Sequence, residues 1–336
     1  MIKNFLLLFL LGLLCFIACK TDKNKPDVDG ITIKFELQRL DKDFFSLPGS
    51  ISSKDIEVLK NTYKTFFNLY YRNMLRLTAP NDSLLAIQLN GFKNDKDIKE
   101  VYSTADSIYT GAEIEKIKSG LAIFFKHLKY YYPEKKTPDV VTFISGFNYN
   151  VVTTDSVLGI GLDMYLGGDN KFYPALGFPQ YMFRKFSKEY IVTDCVKGWF
   201  QSEYDAEAVK KEFLHQAIYQ GKLLYFIDAM VPDLNDTIKI GFTALQLKWC
   251  RENEEKMWSF FIEHKMLYNT NEKEYIRFIQ DGSTTQGFPE GAPGKTGCYI
   301  GWQIIRAYMK NNDVTLQQLL NENDAQKILT QSGYKP

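Results

Sequence analysis

Histidine is scarce in this chain: His127, His215 and His264 are the only three among 336 residues. No two lie one helical turn apart. A zinc peptidase helix of the H-E-x-x-H type needs two imidazoles at that spacing and a glutamate beside the first, so it is not written here. Cysteine is scarce too. After Cys19 only Cys195, Cys250 and Cys298 remain. That odd count has no zinc-ligand spacing and allows at most one disulfide in an oxidising compartment; all three are expected as small buried hydrophobes. Charge of one sign is missing as well. The net charge of +1 withholds the basic footprint of a nucleic-acid binder. There is no G-x-S-x-G nucleophile elbow, no aspartate-rich EF-hand loop, no internal repeat, and no low-complexity linker after Gly30. Glu254 and Glu255 are adjacent on a helix and point apart, which suits a solvated face better than an acid–base pair.

What is present starts with an apolar run. "MIKNFLLLFLLGLLCFIACK" places Lys3 before apolar residues from Phe5 to Ile17. That is shorter than the roughly 20 residues that span a bilayer and has the pattern of a secretory signal peptide. Ala18 before Cys19 makes "FIAC" a bacterial lipobox. Residues 1–18 are therefore expected to be removed and Cys19 to be acylated, each buried methylene contributing about 0.8 kcal/mol to membrane attachment. "KTDKNKPDVDG" is polar and charged, and residues 19–30 read as a tether. The position after Cys19 is Lys20, not aspartate, and "KTDK" is only weakly acidic; an outer-membrane anchor facing the periplasm is expected.

Hydrophobic residues make up 45% and aromatic residues 15% of the chain, enough for a substantial core. "ITIKFELQRL" alternates with period two and predicts a strand over 31–40, followed by a turn through "DKDFFSLPGS". Helical spacing predicts helices over 53–74, 82–90, 95–109 and 112–132, the last ended by Pro133 and Pro138. The β-branched middle predicts strands over 140–145, 149–153 and 157–162, with the first two as a hairpin. Helices follow over 179–186, 189–200, 206–230, 242–264, 272–280, 294–310, 314–320 and 324–330. The fold class is α+β: one mainly helical domain over 31–336 with a small sheet.

The stretch "EFLHQAIYQGKLLYF" invites a metal reading. His215 is there, but Gln216 stands where the general base should be and Tyr219 where the second imidazole should be. Leu214, Ala217, Ile218, Gly221, Leu224 and Tyr225 form an apolar stripe, and Gly221 within it, about 1 kcal/mol worse than alanine in a helix, predicts a close passing backbone. His215, Tyr219, Lys222 and Phe226 share another face. "GAPGKTGCYIGW" ends like a phosphate-binding loop at Gly294-Lys295-Thr296, yet the required first glycine is Pro289 and no buried strand precedes it. Gly297 and Gly301, one turn apart, instead predict a helix lying tightly against a neighbour, with Trp302, Ile305 and Tyr308 as its apolar bulk. Trp249, Trp258 and Tyr268 lie on or near one helix, which most often means core; a groove for peptide or glycan would use similar residues.

Four segments carry a family resemblance: "LGIGLDMYLGGDNKFYPALGFPQY", "QAIYQGKLLYFIDAMVPD", "WCRENEEKMWSFF" and "PGKTGCYIGWQIIRAYMKNN". In this order, with the lipobox and the terminal "SGYKP", the chain from about Phe35 to Pro336 resembles the gliding-motility lipoprotein GldB of Bacteroidota. The resemblance implies a lipid-anchored cell-envelope protein whose partners are the membrane, through Cys19, and other gliding and type IX secretion components. The family is also distantly similar to zinc-dependent proteases. On that alignment the metal helix falls on Thr193–Phe200, with Asp194, Cys195 and Trp199 at ligand places; Gln220 precedes Gly221 in the next motif, and "GCYIGWQI" matches the last. No zinc ligand set, catalytic residue or cofactor is expected, and the scaffold would be a degenerate zincin-like one. The residues named for an interaction cleft are Asp194, Trp199, His215, Gln216, Tyr219, Lys222, Gly297, Gly301 and Trp302. An envelope hydrolase with an unrecognised site, and a glycan- or peptide-binding module, stay open as alternatives.

Overall fold

β1 (Leu37–Arg39), β2 (Asp139–Phe143), β3 (Val151–Thr153) and β4 (Val157–Gly161) form one mixed sheet of order β1-β2-β4-β3. The computed structural model describes residues 25–336; the signal peptide, Cys19 and the first part of the tether lie outside the described residues. β1 and β4 both run parallel to β2, and β3 runs antiparallel to β4. β2 and β4 are apolar and buried from their second residue onward, as strands covered on both faces are.

The expected hairpin between the first two of the predicted central strands does not form. β3 folds back on β4 instead, through a turn in which the Val157 N–H donates to Thr154 Oγ1 at 2.9 Å. The reason lies after β2. Gly146 (φ 70°) and Phe147 (φ 65°) take left-handed backbone there, and the N–H groups of Ser145 and Phe147 are gathered by the Asp163 carboxylate at 2.9 and 2.6 Å. That turn leads the chain past β2, and the half-exposed β3 takes the sheet edge. The strand expected over 31–40 is hydrogen-bonded only at β1. Ile31, Ile33 and Phe35 keep their alternation as half-buried residues, and Phe35 packs edge-on against Phe125.

The helices follow their apolar spacing. α1 (Leu40–Ser46) occupies the place read as a turn, because Leu40 and Phe44, one turn apart, are both fully buried. α2 (Ser53–Leu69) starts at a Ser52–Asp55 capping box, where each group satisfies an orphan N–H of the other's segment. A wider turn, Tyr70–Met74, continues it. α3 (Asp82–Asn94), α4 (Lys96–Ile108) and α5 (Gly111–Tyr131) follow. After the sheet come the single turn α6 (Phe172–Ala175), then α7 (Ile191–Glu203) and α8 (Phe213–Met230). α9 (Asp236–Ile240), α10 (Ala244–Glu252), α11 (Glu254–Glu263), α12 (Glu272–Tyr275), α13 (Thr296–Asn311), α14 (Leu316–Asn321) and α15 (Ala325–Ser332) complete the chain.

Several predicted helices are interrupted: α2 is kinked at Lys64, whose backbone (φ 48°, ψ -127°) is not helical, residues 180–185 form a 3-10 turn, and two longer segments are broken. The helix expected from 206 begins only at Phe213: Glu212 is extended, and the Phe213 N–H donates to the Asn269 carbonyl at 3.0 Å. The helix expected over 242–264 splits at Asn253, whose side chain donates to the Trp249 carbonyl at 2.9 Å and so competes with helix continuation.

The sheet separates two apolar clusters. Val141 and Phe143 face a smaller one with α1, α2 and α3, while Val140 faces the larger one with α5, α7, α8 and α13. The most extensive helix–helix interface joins α8 to α13. A Cβ on Gly301 would come within 1.9 Å of the Ala217 carbonyl oxygen, and one on Gly221 within 2.3 Å of the Gly301 carbonyl oxygen. The two backbones therefore touch, and only glycine fits. From Gly221 to Met230 every residue of α8 is buried, so the expected two-faced helix is a core helix enclosed on all sides over its second half.

Candidate interaction cleft

Three of the residues singled out on α8 line one cavity. His215, Tyr219 and Lys222 lie at steps of four and three, on one stripe of the helix. They face a cavity of about 420 Å³ closed by the end of α7, the loop 205–210 and residues 320–325. Each of the three side chains has a polar contact to the surrounding chain. His215 Nδ1 meets Glu212 Oε1 at 3.1 Å, and Glu212, itself buried, also pairs with Lys210. The Tyr219 hydroxyl donates to the Tyr204 carbonyl at 3.0 Å, and burial pushes its pKa up to about 12. The Lys222 ammonium donates to the carbonyls of Leu320 and Glu322, at the end of α14, where carbonyls lack helical partners. Burial lowers the pKa of Lys222 to about 8. At the rim, Gln216 donates to the Lys210 carbonyl at 3.3 Å.

The other named residues lie elsewhere. Asp194 accepts from the Tyr165 hydroxyl and from Lys197, both at 3.0 Å. Trp199 is buried, stacked 5.2 Å from Phe226 with Lys135 over its ring, and borders a separate cavity of about 340 Å³. Gly297, Gly301 and Trp302 are enclosed in the α8–α13 interface. A Cβ on Gly297 would meet the Phe213 ring at 2.8 Å.

Sequence reading missed the strongest electrostatic cluster. Asp228, at the end of α8, accepts from Trp302 Nε1 at 2.8 Å, from Lys239 at 2.8 Å, and from Arg306 at 2.9 and 3.0 Å. Arg306 reaches on to Asp236 at 3.1 and 3.2 Å, and its guanidinium lies 3.7 Å from the Trp302 ring centroid. The available signal was one acid in "YFIDAM" and one base in "QIIRAYM", each alone in an apolar helix. Asp163 is a second missed residue. It is fully buried, and burial raises its pKa to about 6 against the pull of the backbone N–H groups it accepts from.

The remaining imidazoles are held locally: His127 Nδ1 by the Ile123 carbonyl and His264 Nδ1 by the Phe260 carbonyl, each at 2.9 Å. Among the described residues, no group of three or more His, Cys, Asp or Glu side chains is placed to hold a metal ion. Cys195, Cys250 and Cys298 are free and buried, and burial pushes the thiols of Cys250 and Cys298 up to about 12.

A family model described as gliding motility protein GldB matches residues 21–336, nearly the whole chain. The chain belongs to the GldB family. No curated protein and no solved structure matches it. Membership in GldB makes this a gliding-motility lipoprotein by family, and the resemblance in the four long segments holds. The further likeness to a zincin scaffold finds no such support. Of the ligand places it implied, Asp194 is paired with Lys197 and Cys195 is buried with its thiol raised well above the usual range. Among the described residues of this GldB chain no helix is long and apolar enough to cross a membrane.

Proposed function

We propose that this GldB-family chain is a non-catalytic component of the gliding machinery. It is anchored by acylated Cys19, in the outer membrane and facing the periplasm, and works by contact with other gliding and type IX secretion proteins. The single domain over 31–336 presents the α8 cleft as the contact surface. The observation that supports this reading is the use made of the polar residues on α8. His215, Tyr219, Lys222 and Asp228 are each engaged by neighbouring chain, which suits a shaped and rigid surface. A general base needs a nucleophile within hydrogen-bond reach, and no serine, threonine or cysteine is among the described residues that line the cavity beside His215.

The test is Cys19→Ala in cells that depend on this chain for movement. The variant is expected to leave the membrane fraction, keep its fold, and fail to restore gliding. Full gliding with the variant in the soluble fraction would contradict the proposal.

A further inference from the structure

The loops that open α13 shape a further cavity, of about 420 Å³, distinct from the α8 cleft and from the cavity beside Trp199. Its walls are the turn Gln180–Lys185, the segment 241–246 entering α10, the loop 281–283 and Gly294–Lys295. Arg184, Lys185 and Lys295 line it together with one carboxylate, Asp281. The ammonium groups of Lys185 and Lys295 lie 2.6 and 3.0 Å from the same Oδ1 of Asp281. One carboxylate balances one ammonium, which leaves the wall with two positive charges in excess.

The backbone is built around this convergence. Lys295 takes left-handed backbone, φ 47° and ψ 40°, a conformation that non-glycine residues hold only when the surroundings impose it. Gly294 is pressed against Gly282, whose backbone nitrogen would be 2.6 Å from a Cβ there. Gly241, at φ 80°, leaves room for the Lys185 stem, which a Cβ would meet at 2.8 Å. The side chains of Lys185 and Lys295 are only 19% and 16% exposed. Burial, then the neighbouring Lys295, lowers the pKa of Lys185 to about 8. Like charges withdrawn from water side by side are costly unless an anion joins them.

We propose that this pocket binds a phosphate group carried on a larger molecule. A phosphate dianion matches the two uncompensated charges and offers oxygens to donors arriving from separate segments, one of them a planar guanidinium. The cavity is larger than a phosphate fills. Tyr181, 41% exposed at the mouth, offers apolar surface to the rest of the ligand, while buried Phe242 backs Lys295, its ring centroid 5.8 Å from the ammonium. The source is either a soluble phosphate ester or a phospholipid headgroup.

The experiment is calorimetric titration of the full chain in detergent, at constant ionic strength, with inorganic phosphate and with dihexanoyl phosphatidic acid. Saturable phosphate binding is expected, weakened at least tenfold by Lys295→Met and by Lys185→Met. It should be strengthened by Asp281→Asn, which removes the competing carboxylate, and left unchanged by Lys248→Met on the exposed face of α10. Tighter binding of the phosphatidic acid than of inorganic phosphate would assign the headgroup; equal binding would assign a soluble ester. Three results would overturn the proposal: no saturable binding, a loss in Lys248→Met equal to that in Lys295→Met, or no gain in a folded Asp281→Asn variant.

Discussion

At the carboxyl end of the sheet, Asp163 is fully buried and faces backbone N–H groups, with no cation among its hydrogen-bond partners; its Oδ1 has none among the described residues. At the end of α8, Asp228 is 9% exposed and faces Arg306, Lys239 and the Trp302 indole. The two acids differ in what satisfies the carboxylate. Amide dipoles alone leave the Asp163 carboxyl raised to about 6. Where ammonium groups approach, as at Asp281, the carboxyl is held far below the usual range despite its own desolvation. The sheet end therefore tolerates a buried acid, whereas the helix pair uses one as a clamp on the junction of α8, α9 and α13.

The strongest way to break the comparison is at the helix pair. Gly301→Ala drives a Cβ into the Ala217 carbonyl and should cost more than the ~1–3 kcal/mol of ordinary overpacking, enough to be read as loss of cooperative urea unfolding. Gly91→Ala in α3, where a Cβ meets nothing within 4 Å, should instead stabilise by up to ~1 kcal/mol. Next, Asp228→Ala leaves buried Lys239 and half-buried Arg306 to share Asp236 alone. The expected loss is about 2–3 kcal/mol, below the ~3–5 kcal/mol of a fully uncompensated buried charge, seen as a lower denaturation midpoint.

The sheet end is sharpened by pH. Folding raises the Asp163 pKa from 3.8 to about 6, so the native state holds this proton more tightly than the unfolded chain. Stability from this group is greatest below the unfolded value and falls as pH rises through the folded one. The full difference is on the order of 3 kcal/mol. Asp163→Asn should lack this component, so the stability gap between variant and parent should shift in the variant's favour between pH 4 and 6.5 in urea titrations. The smallest effect belongs to the exposed Lys248–Glu252 pair at 3.7 Å. Lys248→Ala should change stability by less than about 0.5 kcal/mol.

Local chemistry was legible in the chain and non-local pairing was not. Period-three and period-four spacing located the long helices, and Gly221, Gly297 and Gly301 announced close backbones, because both signals sit within a few residues. Strand order was hidden: β3 has only three residues, and its choice of β4 over β2 depends on a turn fastened by Asp163, ten or more residues further on. The Asp228–Arg306 clamp spans 78 residues, and nothing in either helix names the other. Gly294-Lys295-Thr296 was read as an incomplete nucleotide loop. What it contributes, Lys295 beside Lys185, needed the fold to bring residue 185 across. The three imidazoles, His127, His215 and His264, are held in separate local hydrogen bonds, an arrangement set by their own helices.

The central claim is that the polar groups on α8 serve shape and contact. Its most direct test is metal content and peptide turnover measured together on the purified full chain, before and after chelation. The account predicts no stoichiometric transition metal and no chelator-sensitive cleavage. One tightly held zinc per chain, whose removal abolishes hydrolysis of a peptide, would contradict it.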